Sequence, residues 1–301
     1  MNFYKIAVCQ MITTENKIEN INHAVDMVTE AAINGAKIVV LPEMFNCPYE
    51  NKYFPKFAEE YPGETTTILS KLAEKHGIYL VSGSIPELED GKIYNTCYVF
   101  DKNGALIGKH RKMHLFDIEV TGKVSFKESD TLTAGNDVTV IDTEYGKVGI
   151  AICYDIRFPE LSRLMALKGA EIVILPAAFN MTTGPAHWEL SIRMRALDNQ
   201  IFYVGAAPAR NMNASYIAFG NSRISDPWGR IIAQADEKEC IIYADIDRDL
   251  IPDIRQQLPL LKHRRTDLRI HFSLHSDFDP EFCLSIDRAR HHCARPAQIF
   301  M

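Results

Sequence analysis

Two stretches of this chain repeat one another: Gly35-Ala36-Lys37-Ile38-Val39-Val40-Leu41-Pro42-Glu43-Met44-Phe45-Asn46 returns as Gly169-Ala170-Glu171-Ile172-Val173-Ile174-Leu175-Pro176-Ala177-Ala178-Phe179-Asn180. The shared Gly-Ala, Leu-Pro and Phe-Asn stand at fixed offsets, which is more than generic α/β periodicity supplies. A helical stretch precedes each copy, and a short strand, 5–9 in one case and 147–153 in the other, precedes each helix. The chain therefore reads as two related strand-helix-strand halves, each with a sheet covered by helices on one face only. Packing the two bare faces together buries both. The expected fold is α/β, a four-layer α-β-β-α sandwich of two pseudo-repeated halves.

The coarse pattern along the chain agrees. Helical spacing covers about 20–34, 65–76, 159–168 and 186–199, and apolar strand-like runs recur near 78–84, 94–100, 138–142, 201–207 and 239–245. The segment after Leu268 differs, with four of the ten histidines and two of the seven cysteines and no clear period. We therefore expect a main domain over 1–268 and a C-terminal tail over 269–301. Cys283, His291, His292 and Cys293 in that tail match no regular zinc-finger or ribbon spacing, so no metal site is expected there.

A 301-residue chain that is 47% apolar has enough material for a large core. Its net charge of -6 argues against a general phosphate-backbone binder, so nucleic acid is not an expected partner. No apolar run approaches the ~20 residues that cross a bilayer, which argues against a membrane role. The first strand begins almost at once and leaves no room for a signal peptide, so a cytoplasmic location is expected. Seven cysteines, odd in number and scattered, do not form a disulfide framework and fit reduced thiols. Neither a G-x-G-x-x-G fingerprint nor a phosphate-binding loop occurs, and no cofactor is expected.

Cys153 ends the apolar run Val148-Gly149-Ile150-Ala151-Ile152 and is followed by Tyr154-Asp155-Ile156-Arg157-Phe158-Pro159. A buried strand that empties into a polar turn puts its last side chain at the carboxyl edge of a sheet, where open α/β proteins build sites. The alternative for a free cysteine is to pack as a small hydrophobe. Glu43 stands in the same way after 38–41, and a carboxylate at that depth is costly unless it serves or is paired. It could also merely accept hydrogen bonds from turn amides. Lys112 lies in the basic run Gly108-Lys109-His110-Arg111-Lys112-Met113-His114, and spacing does not select it over Lys109 or Arg111.

Together, Leu41-Pro42-Glu43-Met44-Phe45, His110-Arg111-Lys112-Met113-His114-Leu115-Phe116 and Ile152-Cys153-Tyr154-Asp155-Ile156-Arg157-Phe158-Pro159-Glu160 resemble the Glu-Lys-Cys motifs of the nitrilase superfamily of C-N hydrolases. The similarity runs from about Tyr4 to Leu268. The blocks Asn46-Cys47-Pro48-Tyr49 and Phe179-Asn180-Met181-Thr182-Thr183 resemble the omega-amidase branch. Gly184-Pro185-Ala186-His187-Trp188-Glu189 is shared with the sister amidase that repairs deaminated glutathione. The resemblance implies hydrolysis of the distal amide of short dicarboxylate monoamides such as 2-oxoglutaramate and 2-oxosuccinamate. It assigns Glu43, Lys112 and Cys153 to a catalytic triad, adds Glu128 as a supporting glutamate in what reads as a loop, and implies a homodimer or larger assembly to which the helix from Pro159 contributes.

For the small-molecule amide substrate, Arg157 is a candidate carboxylate receptor, its alternative being a salt bridge to Asp155 or Glu160. Tyr49 could bond that carboxylate or simply pack, and Tyr154 offers a backbone N-H near the oxyanion. Phe179, Asn180 and Thr183, on the second copy of the repeat, are expected to line the same mouth. The competing readings are an N-carbamoyl or deaminated-glutathione amidase using the same triad, and a non-catalytic binding module in which Cys153 is inert.

Overall fold

In the strand β1 (Phe3–Gln10), alternate side chains face opposite ways, and both sets are buried, as expected of a central strand with layers on each side. The computed structural model describes residues 2–122, 124–270 and 286–288. After β1 come α1 (Lys17–Ile33), β2 (Ile38–Val40), α2 (Phe54–Phe57), α3 (Glu64–His76), β3 (Tyr79–Val81), β4 (Ile85–Glu89), β5 (Lys92–Phe100) and β6 (Leu106–Arg111). A small hairpin, β7 (Asp117–Val120) and β8 (Val124–Lys127), leads to β9 (Val140–Thr143) and β10 (Gly146–Ile150). The second half continues with α4 (Pro159–Leu167), β11 (Ile172–Pro176), α5 (Gly184–Asn199), β12 (Phe202–Ala206), β13 (Arg223–Ser225), β14 (Ile231–Gln234), β15 (Cys240–Asp247) and α6 (Leu250–Gln257).

The echo in the sequence is an echo in topology. β1, β2 and β3 are parallel neighbours joined through α1 and α3, and β10, β11 and β12 are parallel neighbours joined through α4 and α5. Antiparallel strands flank each trio, giving the orders β15-β1-β2-β3-β5-β4, with β6 on β5, and β14-β13-β12-β11-β10-β9. Ile6, Val8, Ile38, Val40 and Val81 share one core with Val148, Ile150, Ile172, Ile174 and Val204 of the other sheet. On the reverse face Ala7, Val39 and Leu80 meet Ala24, Val28 and Ala31 of α1 and Leu69 and Leu72 of α3. Behind the second sheet Gly149 lies against Met165 of α4, and Gly205 against Ile192 and Trp188 of α5, which completes four layers, and each buried Val, Leu or Ile contributes roughly 1.5–3 kcal/mol. β15 crosses back to pair with all of β1, from Phe3 against Asp247 to Gln10 against Cys240, and so fastens the first sheet.

Helix bounds differ from expectation mainly at the start of α1. Asn16 accepts hydrogen bonds from Ile18 N and Glu19 N at 3.1 and 3.3 Å, and this cap begins the helix ahead of its apolar face. α5 lies close on its sheet because Gly205 has no side chain; a Cβ there would sit 2.5 Å from Ile192 Cδ1. No helix among the described residues is long and apolar enough to cross a membrane, and no cluster of three His, Cys, Asp or Glu among them could hold a metal.

Two compact units divide the chain, 1–258 and 259–301. The second contains one described antiparallel pair, Leu268–Ile270 with Ile286–Arg288. Cys283, His291, His292 and Cys293 lie outside the described residues.

Candidate active site

Strand order places Glu43 just beyond β2, Cys153 just beyond β10 and Ala178 just beyond β11, so the carboxyl edges of both sheets supply the site. Lys112 follows β6 directly, with its N-H bonded to Asn95 O at 2.9 Å. Alternation along β6 separates the basic residues that spacing could not. Lys109 and Arg111 face Glu87 at 2.9 and 2.6 Å, and His110 and Lys112 turn into the molecule.

The Lys112 ammonium is fully buried and reaches Glu43 Oε1 at 3.0 Å, Glu128 Oε1 at 2.9 Å and the Tyr49 hydroxyl at 3.2 Å. Tyr49 donates to Glu128 Oε1 at 2.5 Å, and Phe116 N donates to Glu128 Oε2 at 2.6 Å. The stretch before Glu128, expected as a loop, is strand β8, and Glu128 begins a short 3₁₀ turn with its side chain buried. Aromatic packing accounts for that difference: Phe126 of β8 lies against the rings of Tyr49 and Tyr216, with centroids 5.5 and 5.9 Å apart.

Glu43 is the hub. Its Oε1 accepts from Asn95 Nδ2 at 2.8 Å as well as from Lys112, and its Oε2 accepts from Ala178 N at 2.7 Å. The Cys153 thiol lies close enough to the same carboxylate for the two to shift each other's proton affinity. Cys153 sits at φ 44°, in the left-handed region that non-glycine residues rarely occupy and that costs on the order of 1–3 kcal/mol. Its neighbour Tyr154 lies in the first part of the 3₁₀ turn Cys153–Arg157, whose leading N-H groups have no partner within the turn.

Burial raises the Glu43 carboxyl; Lys112 pulls it back and Glu128 pushes it up again, so it stays above the usual carboxylate range. Burial likewise raises the Cys153 thiol, and Glu43 adds to the effect. Burial alone would lower the Lys112 ammonium, but Glu128, Glu43 and Cys153 more than reverse that and hold it charged. The arrangement is a protonated thiol beside a carboxylate with raised proton affinity and a fixed cation. Such a cluster can move a proton from sulfur to carboxylate and stabilise developing negative charge.

Of the remaining expected residues, Tyr49 and Tyr154 touch this cluster or adjoin it. Arg157 is half-buried, 4.9 Å over the Phe179 ring and 5.7 Å from the Tyr154 ring, with Nη1 3.1 Å from His187 Nδ1. Neither Asp155 nor Glu160 pairs with it. Asp155 is committed elsewhere. Asn180 and Thr183 bond each other, Thr183 N donating to Asn180 Oδ1 at 2.9 Å at the start of α5, and Phe179 lies against Trp188.

Sequence reasoning missed four contributors. Asn95 and the Ala178 N-H hold Glu43, and Tyr216 donates to Ala178 O at 2.5 Å, which holds the following peptide of the same residue. Asp155 accepts from Ile152 N at 2.9 Å, His114 N at 2.9 Å and His114 Nδ1 at 2.7 Å, with His110 Nε2 3.3 Å away. It thereby ties the residues on both sides of Lys112 to the turn that carries Cys153. The two histidines hold its carboxyl well below the usual range although burial opposes them. The sequence signal was there, since His110 and His114 flank Lys112 at i±2. Asp155→Asn, which loses acceptors for these donors, is expected to lower kcat about 10–10²-fold through misplacement, with KM nearly unchanged. Steady-state kinetics on folded protein checks this; an unchanged kcat would contradict it.

A buried acid, a buried lysine and a cysteine at a strained strand end, brought together within a doubled α/β sandwich, mark the chain as a hydrolase. The carbon-nitrogen hydrolase family model matches residues 5–256, and the chain belongs to that family, within the nitrilase superfamily. It is similar to omega-amidase NIT2 of Xenopus tropicalis, 53% identical over 265 residues covering 88% of this chain and 96% of the relative. It is also similar to omega-amidase NIT2 of Homo sapiens, 49% identical over 268 residues covering 89% and 97%. Among solved structures, Saccharomyces cerevisiae Nit3, a member of branch 10 of the nitrilase superfamily, superposes with a TM-score of 0.81 at 45% identity, over 88% of this chain and 97% of that one.

Proposed function

We propose that this carbon-nitrogen hydrolase is an omega-amidase that cleaves the distal amide of short dicarboxylate monoamides, 2-oxoglutaramate and 2-oxosuccinamate, to the dicarboxylic acid and ammonia. The observation that carries this reading is the buried Glu43, Lys112 and Cys153 cluster in a chain about half identical to proteins named omega-amidase.

An amide carbon is a poor electrophile and its nitrogen a poor leaving group, so both ends of the bond need help. Glu43 takes the thiol proton of Cys153 as sulfur attacks the carbonyl. The oxyanion forms against the Lys112 ammonium and the Tyr154 N-H. Glu43 returns the proton to nitrogen, the C-N bond breaks, ammonia departs and a thioester remains on Cys153. Water then loses a proton to Glu43, attacks the thioester and releases the carboxylic acid, and the thiol is restored. Glu128 and Tyr49 hold Lys112 in place throughout. The scheme uses no cofactor.

Arg157 receives the distant carboxylate of the substrate, with Phe179, Asn180 and Thr183 on the adjoining wall. Supporting this, it has no carboxylate partner among the described residues and is held flat by two rings and His187. Arg157→Met is expected to raise KM for 2-oxoglutaramate roughly 10–10²-fold, as loss of a charge-assisted pair of about 1.5–3 kcal/mol implies. Turnover of an uncharged amide should hardly change. The substrate reading itself is tested by ammonia release from 2-oxoglutaramate, from its carboxylate ester and from deaminated glutathione. Preference for the free acid supports it, and equal use of the ester or faster cleavage of deaminated glutathione overturns it.

The assembly and compartment belong to the same proposal. Leu164 and Leu167 of α4 and Leu190 and Met194 of α5 are exposed apolar side chains on neighbouring helices, which supports a homodimer built on that face. Free thiols at Cys9, Cys47, Cys97, Cys153 and Cys240 support a reducing, cytoplasmic setting.

A further inference from the structure

A cavity of about 60 Å³ opens beside Glu43, between the residues that follow it and the segment 208–218. Glu43 forms part of its wall, as do Ala178, Ala209, Ala214, Ala218 and Thr13, but neither Cys153 nor Lys112 does. The cavity is several times the ~10–15 Å³ that one water needs, and well below the ~300 Å³ of small ligand pockets. It has room for a short file of waters.

This geometry meets a requirement of the two-step reaction, and the argument rests on the amidase reading above. After ammonia is lost, the acyl group fills the space between Cys153, Lys112 and the Tyr154 N-H. The second nucleophile must still reach Glu43, the base that takes its proton. Each Glu43 oxygen is held by named donors, Oε1 by Asn95 and Lys112 and Oε2 by Ala178 N, so the carboxylate cannot swing out to meet water elsewhere. Ala178 is itself pinned through Tyr216, which also lines the cavity. The base is fixed, and the cavity arrives at it from a direction that the nucleophile does not occupy.

We propose that this cavity is the route by which hydrolytic water reaches Glu43, and by which ammonia leaves, while the acyl group stays on Cys153. The step is thioester plus water giving carboxylic acid and thiol: water oxygen bonds to the acyl carbon, the C-S bond breaks, and the water proton passes through Glu43 to sulfur. Four alanines in the wall keep the passage open, and larger side chains there should close it without touching the acylation half-reaction.

The experiment uses p-nitrophenyl propionate, which acylates a cysteine nucleophile whatever the amide preference of the enzyme. Burst kinetics then report acylation, and the steady state reports hydrolysis of the thioester. Ala214→Leu, at the half-buried rim, and Ala209→Val, in the wall, are compared with wild type, with Ala214→Gly as the unobstructed control. The expected result is a burst within about twofold of wild type and a steady state slowed about tenfold or more, since general-base activation contributes ~10²–10⁴. Acyl-enzyme measured by intact mass after acid quench should rise in step. An unchanged steady state in both obstructed variants overturns the route, and so does a loss confined to the burst, which would make the cavity an acyl-binding site. Failure of the omega-amidase reading shows separately, as absence of ammonia from 2-oxoglutaramate by a wild-type enzyme that still gives the burst.

Discussion

Cys153→Ala is expected to abolish amide hydrolysis, with a fall in kcat on the order of 10⁶, the scale seen when a hydrolase loses its nucleophile. The physical reason is that nothing else in the site can attack. Lys112 is held charged by Glu128 and Glu43, and the Tyr49 hydroxyl is pushed up by burial and by Glu128, so neither a free amine nor a phenolate is present near neutral pH. Of the other described cysteines, Cys9 and Cys97 are buried in strands of the first sheet, and Cys47, which lines the cavity beside Glu43, donates its thiol hydrogen to Pro48 O and is pushed well up by burial. Alanine keeps the left-handed turn no worse than cysteine does, and the Asp155 network is untouched. Melting temperature should therefore stay within a few degrees of wild type. Ammonia release by purified variant and wild type, side by side, checks the expectation; a variant retaining even a hundredth of the rate would contradict it.

Glu43→Gln should cost about 10²–10⁴ in kcat, because one carboxylate serves as base in both half-reactions. The substitution keeps shape and loses pairing. Glu43 accepts on both oxygens, from Asn95 and Lys112 on one and from Ala178 N on the other, whereas an amide must turn its NH₂ toward one of these sets. A buried donor then faces donors, at about 1–3 kcal/mol. The pH profile separates chemistry from misfit. Burial, with Glu128 outweighing part of the relief from Lys112, raises the Glu43 carboxyl, and only its ionised form can take a proton. Activity is thus present above that raised value and lost as pH falls through it, so the acid limb of kcat/KM should lie above the ~4.3 of an ordinary glutamate. In Glu43→Gln that limb should vanish from the residual activity. A limb that persists at the same pH in the variant would assign it to another group.

The doubled architecture was legible because it is written in apolar period and in the repeated Gly-Ala, Leu-Pro and Phe-Asn marks. Position at a strand end drew attention to Cys153 and Glu43 for the same reason, since burial of a run predicts where its last residue emerges. Lys112 was not legible from spacing, because choosing it over Lys109 and Arg111 depends on which face of β6 turns inward. That in turn depends on the pairing of β6 with β5, Thr96 against Arg111 and Cys97 against His110. Glu128 looked like a loop glutamate because the aromatic contacts that bury its strand come from residues about 75 and 90 positions away, Tyr49 and Tyr216. Asn95, the Ala178 N-H and Asp155 act through backbone geometry or through distant partners, and a linear pattern carries little trace of either. Asp155 is the instructive case, read beforehand only as a possible partner for Arg157 when its oxygens belong to the Lys112 segment.

The central claim is a thioester on Cys153 common to every substrate that shares an acyl group. Its most direct measurement is the partition of product between acid and hydroxamate when hydroxylamine is added, using succinamate and a succinate monoester as the two acyl donors. A shared thioester predicts one hydroxamate-to-acid ratio at each hydroxylamine concentration, the same from amide and ester although their turnover rates differ. Ratios that differ between the two donors, or ammonia release with no hydroxamate at all, would contradict a covalent intermediate on Cys153.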